Sequence, residues 1–339
     1  MINIISRSVV SSLISGPQKV ATNLIKGLDI LGYPYCINKA LDSTSQLWVH
    51  DDKTALKKVA KLKIKAIVGP NIYIMPKNIP EDIDLSNVTY IHPSKWAVDI
   101  WKHFGYDKYP IDFWPAGINT DEFSERQKPD DGTVLIYFKQ RYPEELDYIK
   151  NILEKNNIKY DIISYRFYKQ KNYLEKLKNT KYLVWIGRQE SQGIALQEAL
   201  AMNVPMLVWD VTNMGHWVPT EKESKIFTEE ELSYPATSAP FFNKQCGKIT
   251  KNKSDLETLV KEMENNWKNF EPRKYIIENL NLVKQARDFI KLYETYYGIS
   301  YMSGLNEKLL NNKKWRNSKC YMKIFFYTKD LAKKILKKY

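Results

Sequence analysis

Two carboxylates frame the segment Glu190-Ser191-Gln192-Gly193-Ile194-Ala195-Leu196-Gln197-Glu198, which follows closely on an apolar run ending at Ile186. An apolar strand, a short loop with a glycine and then a helix-forming stretch put this loop at the carboxyl end of a strand. That is where parallel α/β sheets hold their ligands. The unpaired backbone N–H groups of Gly193, Ile194 and Ala195 would open the helix, and together with the helix dipole they suit a phosphate. Glu198 comes about 1.5 turns into the helix, at roughly 3.6 residues per turn, within reach of the hydroxyls of a bound ribose. Glu190 would be delivered to the same crevice by the loop.

Residues of this kind need a sheet to position them, and the chain alternates accordingly. A strand at Ile2 to Ile5 leads through a polar loop into a helix from about Lys19 to Leu31, with Val20, Leu24, Leu28 and Leu31 on one face. Short apolar segments at Leu47 to Val49, Ala66 to Val68 and Val88 to Ile91 alternate with lysine-bearing segments such as Lys53 to Leu62, which reads as helix. After a cluster of Pro115, Gly117 and Pro129 the pattern starts again. Strands at Thr133 to Phe138, Tyr160 to Ser164, Tyr182 to Ile186 and Pro205 to Trp209 alternate with helices at Glu144 to Lys155, Tyr173 to Lys178 and Ile194 to Met202. Such alternation predicts two mostly parallel sheets in an α/β chain. The expected organisation is a first domain over 1–127, a second over 128–271, one long helix within 272–300 and a basic tail over 301–339.

The glutamate segment resembles the hallmark of the family-4 retaining glycosyltransferases, E-S-x-G-x-x-x-x-E-A-x-A-x-x-x-P, at Glu190, Ser191, Gly193, Glu198, Ala199, Ala201 and Pro205. Two further stretches extend the resemblance over about residues 1–295. Ser15-Gly16-Pro17-Gln18-Lys19-Val20 resembles the family's first glycine loop with one glycine, Gly16, of the usual pair. Ser94-Lys95-Trp96 and Trp114-Pro115-Ala116-Gly117-Ile118-Asn119 through Phe123 resemble its S-x-W helix and interdomain linker, with Gly117 expected at positive φ. The resemblance implies the GT-B fold, two Rossmann-like domains facing a central cleft. It also implies a nucleotide-diphosphate sugar as donor, contact of Glu190 with the donor sugar, contact of Glu198 with the nucleotide ribose, and Gln192 and Gly16 in the donor site.

Such a transferase needs positive charge on the departing diphosphate, and the family draws an Arg and a Lys from the first strand of the second domain. Lys139 and Arg141 follow that strand here and are the expected pair, with Arg188 as the substitute. Where the family continues with a paired-glycine loop that touches the donor, this chain has Asp210-Val211-Thr212-Asn213-Met214-Gly215-His216. The acceptor, a glycan or a lipid-linked sugar, is expected to meet strand ends of the first domain, near His50, Asn71 and His92. No metal and no other cofactor is expected: the four histidines and three cysteines lack ligand spacing. Asp82-Ile83-Asp84, formally an acidic triplet, lies in a polar segment after Pro80 and reads as a solvated loop.

With 43% apolar residues, 23 Tyr, 12 Phe and 9 Trp, the 339-residue chain has the composition of a folded protein with more than one core. Its N-terminus lacks the continuous apolar core of a signal peptide, and no run of eighteen apolar residues occurs. A cytoplasmic protein is expected. The net charge of +13 is concentrated in 301–339, where eleven Lys or Arg face only Glu307 and Asp330. Ile324, Tyr327, Leu331 and Ile335 recur at helical spacing among lysines, a pattern that fits a helix on an anionic membrane surface. The same pattern fits a helix packed back on the protein. Two other functional readings stay open: a sugar-nucleotide epimerase of the same fold, and a non-catalytic anion- or nucleic-acid-binding protein. Nucleic acid is not expected as a partner, because little of the charge lies outside the tail and no nucleic-acid motif occurs.

Overall fold

The computed structural model describes residues 1–299 apart from 12–14, 43, 45, 108 and 130; the basic stretch 301–339, with its expected interfacial helix and Cys320, lies outside the described residues. Two all-parallel sheets organise the chain. In the first domain β1 (Ile2–Ile5), α1 (Gly16–Leu31), β2 (Tyr35–Ile37), β3 (Leu47–Val49), α2 (Lys53–Lys61), β4 (Ala66–Val68), β5 (Val88–His92), α3 (Lys95–His103) and β6 (Ile111–Phe113) build a six-stranded sheet in the order β2-β1-β3-β4-β5-β6. Its central strands β1, β3 and β4 are buried on both faces. Leu47, Val49, Ala66 and Val68 point into one apolar cluster, while Trp48 and Ile67 point into the other. That two-sided burial is what a parallel sheet under helices demands.

The second domain comprises β7 (Thr133–Lys139), α4 (Pro143–Lys155), β8 (Tyr160–Ser164), α5 (Gln170–Lys178), β9 (Thr180–Gly187), α6 (Ile194–Ala201), β10 (Met206–Trp209), α7 (Glu221–Ser224), α8 (Glu229–Ser233) and β11 (Gly247–Thr250), with strand order β11-β10-β9-β7-β8. Leu135 and Tyr137 pack with Leu183 and Trp185 on one face, and Val134 and Ile136 with Val184 and Ile186 on the other. Each such aliphatic side chain contributes about 1.5–3 kcal/mol on burial. The helix starts are capped as their residues suggest. The Ser15 side chain accepts from Gln18 N at the head of α1, and the Asp52 carboxylate accepts from Thr54 N and Ala55 N at the head of α2.

After α9 (Leu256–Asn266) the chain forms α10 (Pro272–Asn279) and α11 (Leu282–Tyr297) in place of the single long helix expected over 272–295. The break has two local causes. Ile118 N donates to the Leu280 carbonyl at 2.7 Å, and the Asn281 side chain accepts from Lys284 N at 2.8 Å to start α11 anew. The break returns the chain to the first domain, where Ala286, Phe289 and Ile290 of α11 pack into the cluster that holds Val20, Leu24 and Leu28 of α1.

Gly117 sits at this second crossing. Its φ is not positive, contrary to expectation; it is needed because a Cβ there would lie 2.8 Å from the Leu282 Cα. Linker and α11 therefore approach at backbone distance. Among the described residues no helix is long and apolar enough to cross a membrane.

Candidate functional site

The register of β7 on β9 sets Lys139 opposite Gly187, so the ends of these strands deliver Lys139 and the Glu190 loop side by side. There the Lys139 ammonium donates to a Glu190 carboxylate oxygen, and it also stands 4.4 Å from the centre of the Tyr165 ring. The main chain of Glu190 is fixed from two directions. Its N–H donates to the Thr237 carbonyl at 3.0 Å, and its carbonyl accepts from the Trp96 indole N–H, also at 3.0 Å. Trp96 belongs to α3 of the opposite domain, so this bond spans the cleft. The loop carrying Thr237 is in turn held by Asp210, whose Oδ1 accepts from Ser238 N at 2.6 Å and Ser238 Oγ at 2.9 Å.

Gly193 caps α6 in the left-handed conformation at φ 78°, and the three nearest atoms to a Cβ placed there stand at 3.8 Å. Glycine is required at this turn by its backbone angle rather than by crowding. Ile194 and Ala195 form the first turn of the helix beyond it, with the Ala195 carbonyl taken by the Tyr173 hydroxyl at 2.8 Å. Glu198, in the same helix, is almost wholly buried. Burial raises its pKa, and the one ion pair that opposes this is with Lys19 of α1, at 2.5 Å from the other side of the cleft.

Two of the expected site residues, Arg141 and Gln192, have their polar groups taken up by the protein itself. Arg141 is 1% exposed and its guanidinium binds Glu145 through Nε and one terminal nitrogen, and the Gly187 and Trp209 carbonyls at 3.1 and 3.0 Å. Its remaining N–H faces His216 Nε2 at 3.2 Å. The buried side chain turns back to tie strand ends together rather than extending into open space. Gln192 likewise pairs both amide ends with the main chain of Ala116, at 3.0 and 2.8 Å, and so fastens the α6 loop to the interdomain linker. Gly16 opens α1 beside the cleft, and a Cβ on it would meet nothing within 4 Å, so no close backbone approach to protein requires the glycine.

Arg188 keeps more of its capacity. Its guanidinium lies 4.6 Å from the centre of the Trp217 ring and its buried Nε has no hydrogen-bond partner. On the first-domain side, His50 and Asn71 come together at 3.3 Å, and the His50 Nε2 also meets the Pro17 carbonyl at 2.9 Å. His50 thereby braces the first turn of α1 from which Lys19 projects. Burial lowers the pKa of His50 and takes that of His92 to about 3; His92 stacks on Tyr90 and packs against Trp101, buried at the end of β5. His92 is part of the core rather than of the cleft surface.

Lys19 and Trp96 are the cleft-spanning residues whose partners sequence spacing could not give. Lys19 is one turn into a helix and Trp96 two residues into another, which a motif shows; their reach to Glu198 and Glu190 depends on how the domains face each other. Asp84 accepts from Ser86 N and Oγ at 2.8 and 3.0 Å, making a local turn of the acidic triplet. Among the described residues no group of three or more His, Cys, Asp or Glu is arranged to hold a metal ion.

No protein-family model and no curated protein sequence matches the chain. Solved structures do. The catalytic domain of starch synthase IV from Arabidopsis thaliana, bound to ADP and acarbose, aligns with a TM-score of 0.52 over 88% of this chain and 99% of that one, at 9% identity. Sucrose-phosphate synthase from Thermosynechococcus elongatus gives 0.51 over 88% and 99%, at 10% identity. The lipopolysaccharide outer core galactosyltransferase WaaB gives 0.50 over 85% and 97%, at 10% identity. The chain has the GT-B fold. In GT-B terms, β7 to β11 form the second Rossmann-like domain; Glu190 lies in the loop after β9, Gly193 caps α6 and Glu198 lies within that helix.

Proposed function

We propose that this chain is a retaining glycosyltransferase that moves a sugar from a nucleotide-diphosphate sugar to a hydroxyl of a glycan or glycolipid acceptor, without a metal. The observation that carries the reading is the placement of Glu190 and Glu198. The two carboxylates flank the capped start of α6 at the carboxyl end of a parallel sheet, each paired with a lysine, in the spacing that resembles the family-4 transferases. A carboxylate with spare acceptor capacity suits sugar and ribose hydroxyls, and the first turn of α6 suits the phosphates between them.

In the proposed reaction the acceptor hydroxyl oxygen bonds to the donor's anomeric carbon on the face from which the diphosphate departs. The bond from that carbon to the phosphate oxygen breaks, and the hydroxyl proton passes to the departing phosphate. Lys139 and Arg188 are the cations we assign to the developing negative charge, a role worth a few kcal/mol when a charge is held in place beforehand. Glu190 orients the donor sugar while Lys139 holds its carboxylate in place. The stretch 301–339 would bring the enzyme to an anionic membrane surface on the cytoplasmic side, beside a lipid-linked acceptor.

A panel of nucleotide sugars screened for thermal stabilisation tests the class. One member should raise the unfolding temperature, and Glu190→Ala and Glu198→Ala should each remove most of the rise. Stabilisation by none of them would sink the proposal. Proton NMR of the product formed from the best donor then tests stereochemistry, with the donor's anomeric configuration kept in the glycoside. Sedimentation with anionic liposomes, full-length chain against a 1–300 truncation, tests the membrane contact.

A further inference from the structure

Lys19 and Glu198 meet across the cleft, and each has capacity to spare. The carboxylate can accept about four hydrogen bonds and the ammonium can donate three, yet the bond between them is the only hydrogen bond of either side chain among the described residues. The ammonium stands 5.8 Å from the centre of the Phe123 ring, and the lysine side chain as a whole is 22% exposed. Glu198 is 3% exposed and leans on this one cation against its own desolvation and against Glu122.

The pair is also a joint between the domains at the proposed donor site. Lys77 and Glu231, 2.6 Å apart, close the domains elsewhere, and Trp96 and Gln192 join main chain to side chain. Lys19 and Glu198 join the domains through a carboxylate to which the nucleotide reading assigns the ribose. A ribose that donates two hydroxyls to Glu198 competes with Lys19 for the same oxygens. The displaced ammonium then lies at the mouth of the α6 turn assigned to the phosphates, on a helix whose first turn His50 braces.

We propose that Lys19 is an exchangeable clasp. In the structure it bridges the domains to Glu198; a bound nucleoside diphosphate takes both ends, its ribose hydroxyls donating to Glu198 and its phosphate oxygens receiving the Lys19 ammonium. The first domain then supplies its own cation to the diphosphate, and donor occupancy and domain closure are linked through one side chain. The inference rests on the nucleotide-sugar reading of the cleft.

Isothermal titration of the full chain with UDP, GDP, ADP and dTDP, and with the nucleoside of the tightest binder, tests it. Lys19→Met and Lys19→Gln should each weaken the diphosphate by about tenfold, as expected for one charge-assisted phosphate contact, while the nucleoside binds unchanged or tighter. Lys19→Arg should recover most of the loss. A purely structural lysine would weaken nucleoside and diphosphate equally, or would leave both unchanged while lowering the unfolding temperature; either result overturns the clasp. If the wild-type protein binds none of the four diphosphates, the nucleotide-sugar reading itself fails and takes the clasp with it. Wild-type binding with an unaffected Lys19→Met overturns the clasp alone.

Discussion

Lys139 and Glu190 form an ion pair at the ends of neighbouring strands, although they lie 51 residues apart in the chain. The pairing follows from the β7–β9 register, which sets Lys139 opposite Gly187, three residues before Glu190. An ammonium there holds the carboxylate in place, and in the proposed reaction it is also the cation assigned to the departing diphosphate. Glu190→Gln should lower turnover of the best nucleotide sugar by about 10²–10³ while leaving nucleoside diphosphate affinity within about threefold, because the lost interaction belongs to the transferred sugar. Lys139→Met should lower turnover by a similar factor and also weaken the diphosphate. Steady-state kinetics together with titration separate the two. A Glu190→Gln protein with normal turnover would remove this residue from the site.

Arg141 should behave as a structural residue. Its guanidinium is buried against Glu145, and Arg141→Ala would leave that carboxylate without its main partner. Breaking such a pair costs about 3–5 kcal/mol, so urea unfolding should show a loss of that order. At low temperature the folded fraction should keep its donor affinity. A variant of full stability with turnover reduced a hundredfold would return Arg141 to the reacting centre.

The contrast between Lys139 and Arg141 shows what could be read from sequence. Strand ends follow from apolar runs, so both residues were legible as lying just past the end of a strand in the second domain. Which of them faces the cleft depends on the backbone between them, where Gln140 takes a positive φ of 50° and Arg141 turns inward. Long buried strands such as β7 and β9 announce themselves by unbroken apolar runs. The three strands that no run announced, β2, β6 and β11, each end a sheet, have three or four residues and are only partly buried. The helix break at Leu280 and Asn281 was hidden for a different reason: the apolar spacing continues through it, and its cause is a bond from Ile118, more than 150 residues earlier.

Gln192 should matter to the hinge rather than to the donor. Its amide pairs with Ala116 N and O, and no water-sized gap need open for Gln192→Ala to leave both unpaired. Leaving buried backbone groups without partners costs about 1–3 kcal/mol, so the variant should lose that much stability in urea. Gln192→Glu should lose at least as much, because a carboxylate cannot donate to the Ala116 carbonyl. Nucleoside diphosphate affinity should change by less than about threefold in either, and a tenfold loss without a stability change would restore Gln192 to donor contact.

Acid should destabilise the protein through its buried histidines before it reaches the carboxylates. Burial takes His92 to about 3 and lowers His50, whereas in the unfolded chain a histidine titrates near 6.5. Above pH 6.5 both states leave His92 neutral and it contributes no pH dependence. As pH falls from 6.5 towards 3 the unfolded chain takes up a proton that the folded one refuses, and stability drops by about 1.4 kcal/mol per pH unit from this residue. Glu145 acts in a lower window. Burial pushes it up, but hydrogen bonds from His216 and Arg141 outweigh that and bring it to about 2, so the stability it contributes is complete above about 4.5 and is lost as pH falls towards 2. Urea unfolding of wild type and His92→Phe at pH 7, 6 and 5 isolates the histidine. The variant keeps a ring against Tyr90 and Trp101, and its stability should fall less steeply over this range, by about one proton's worth of slope in its lower half. Parallel curves for the two proteins would show that His92 takes up its proton in the folded state and is not sealed in the core.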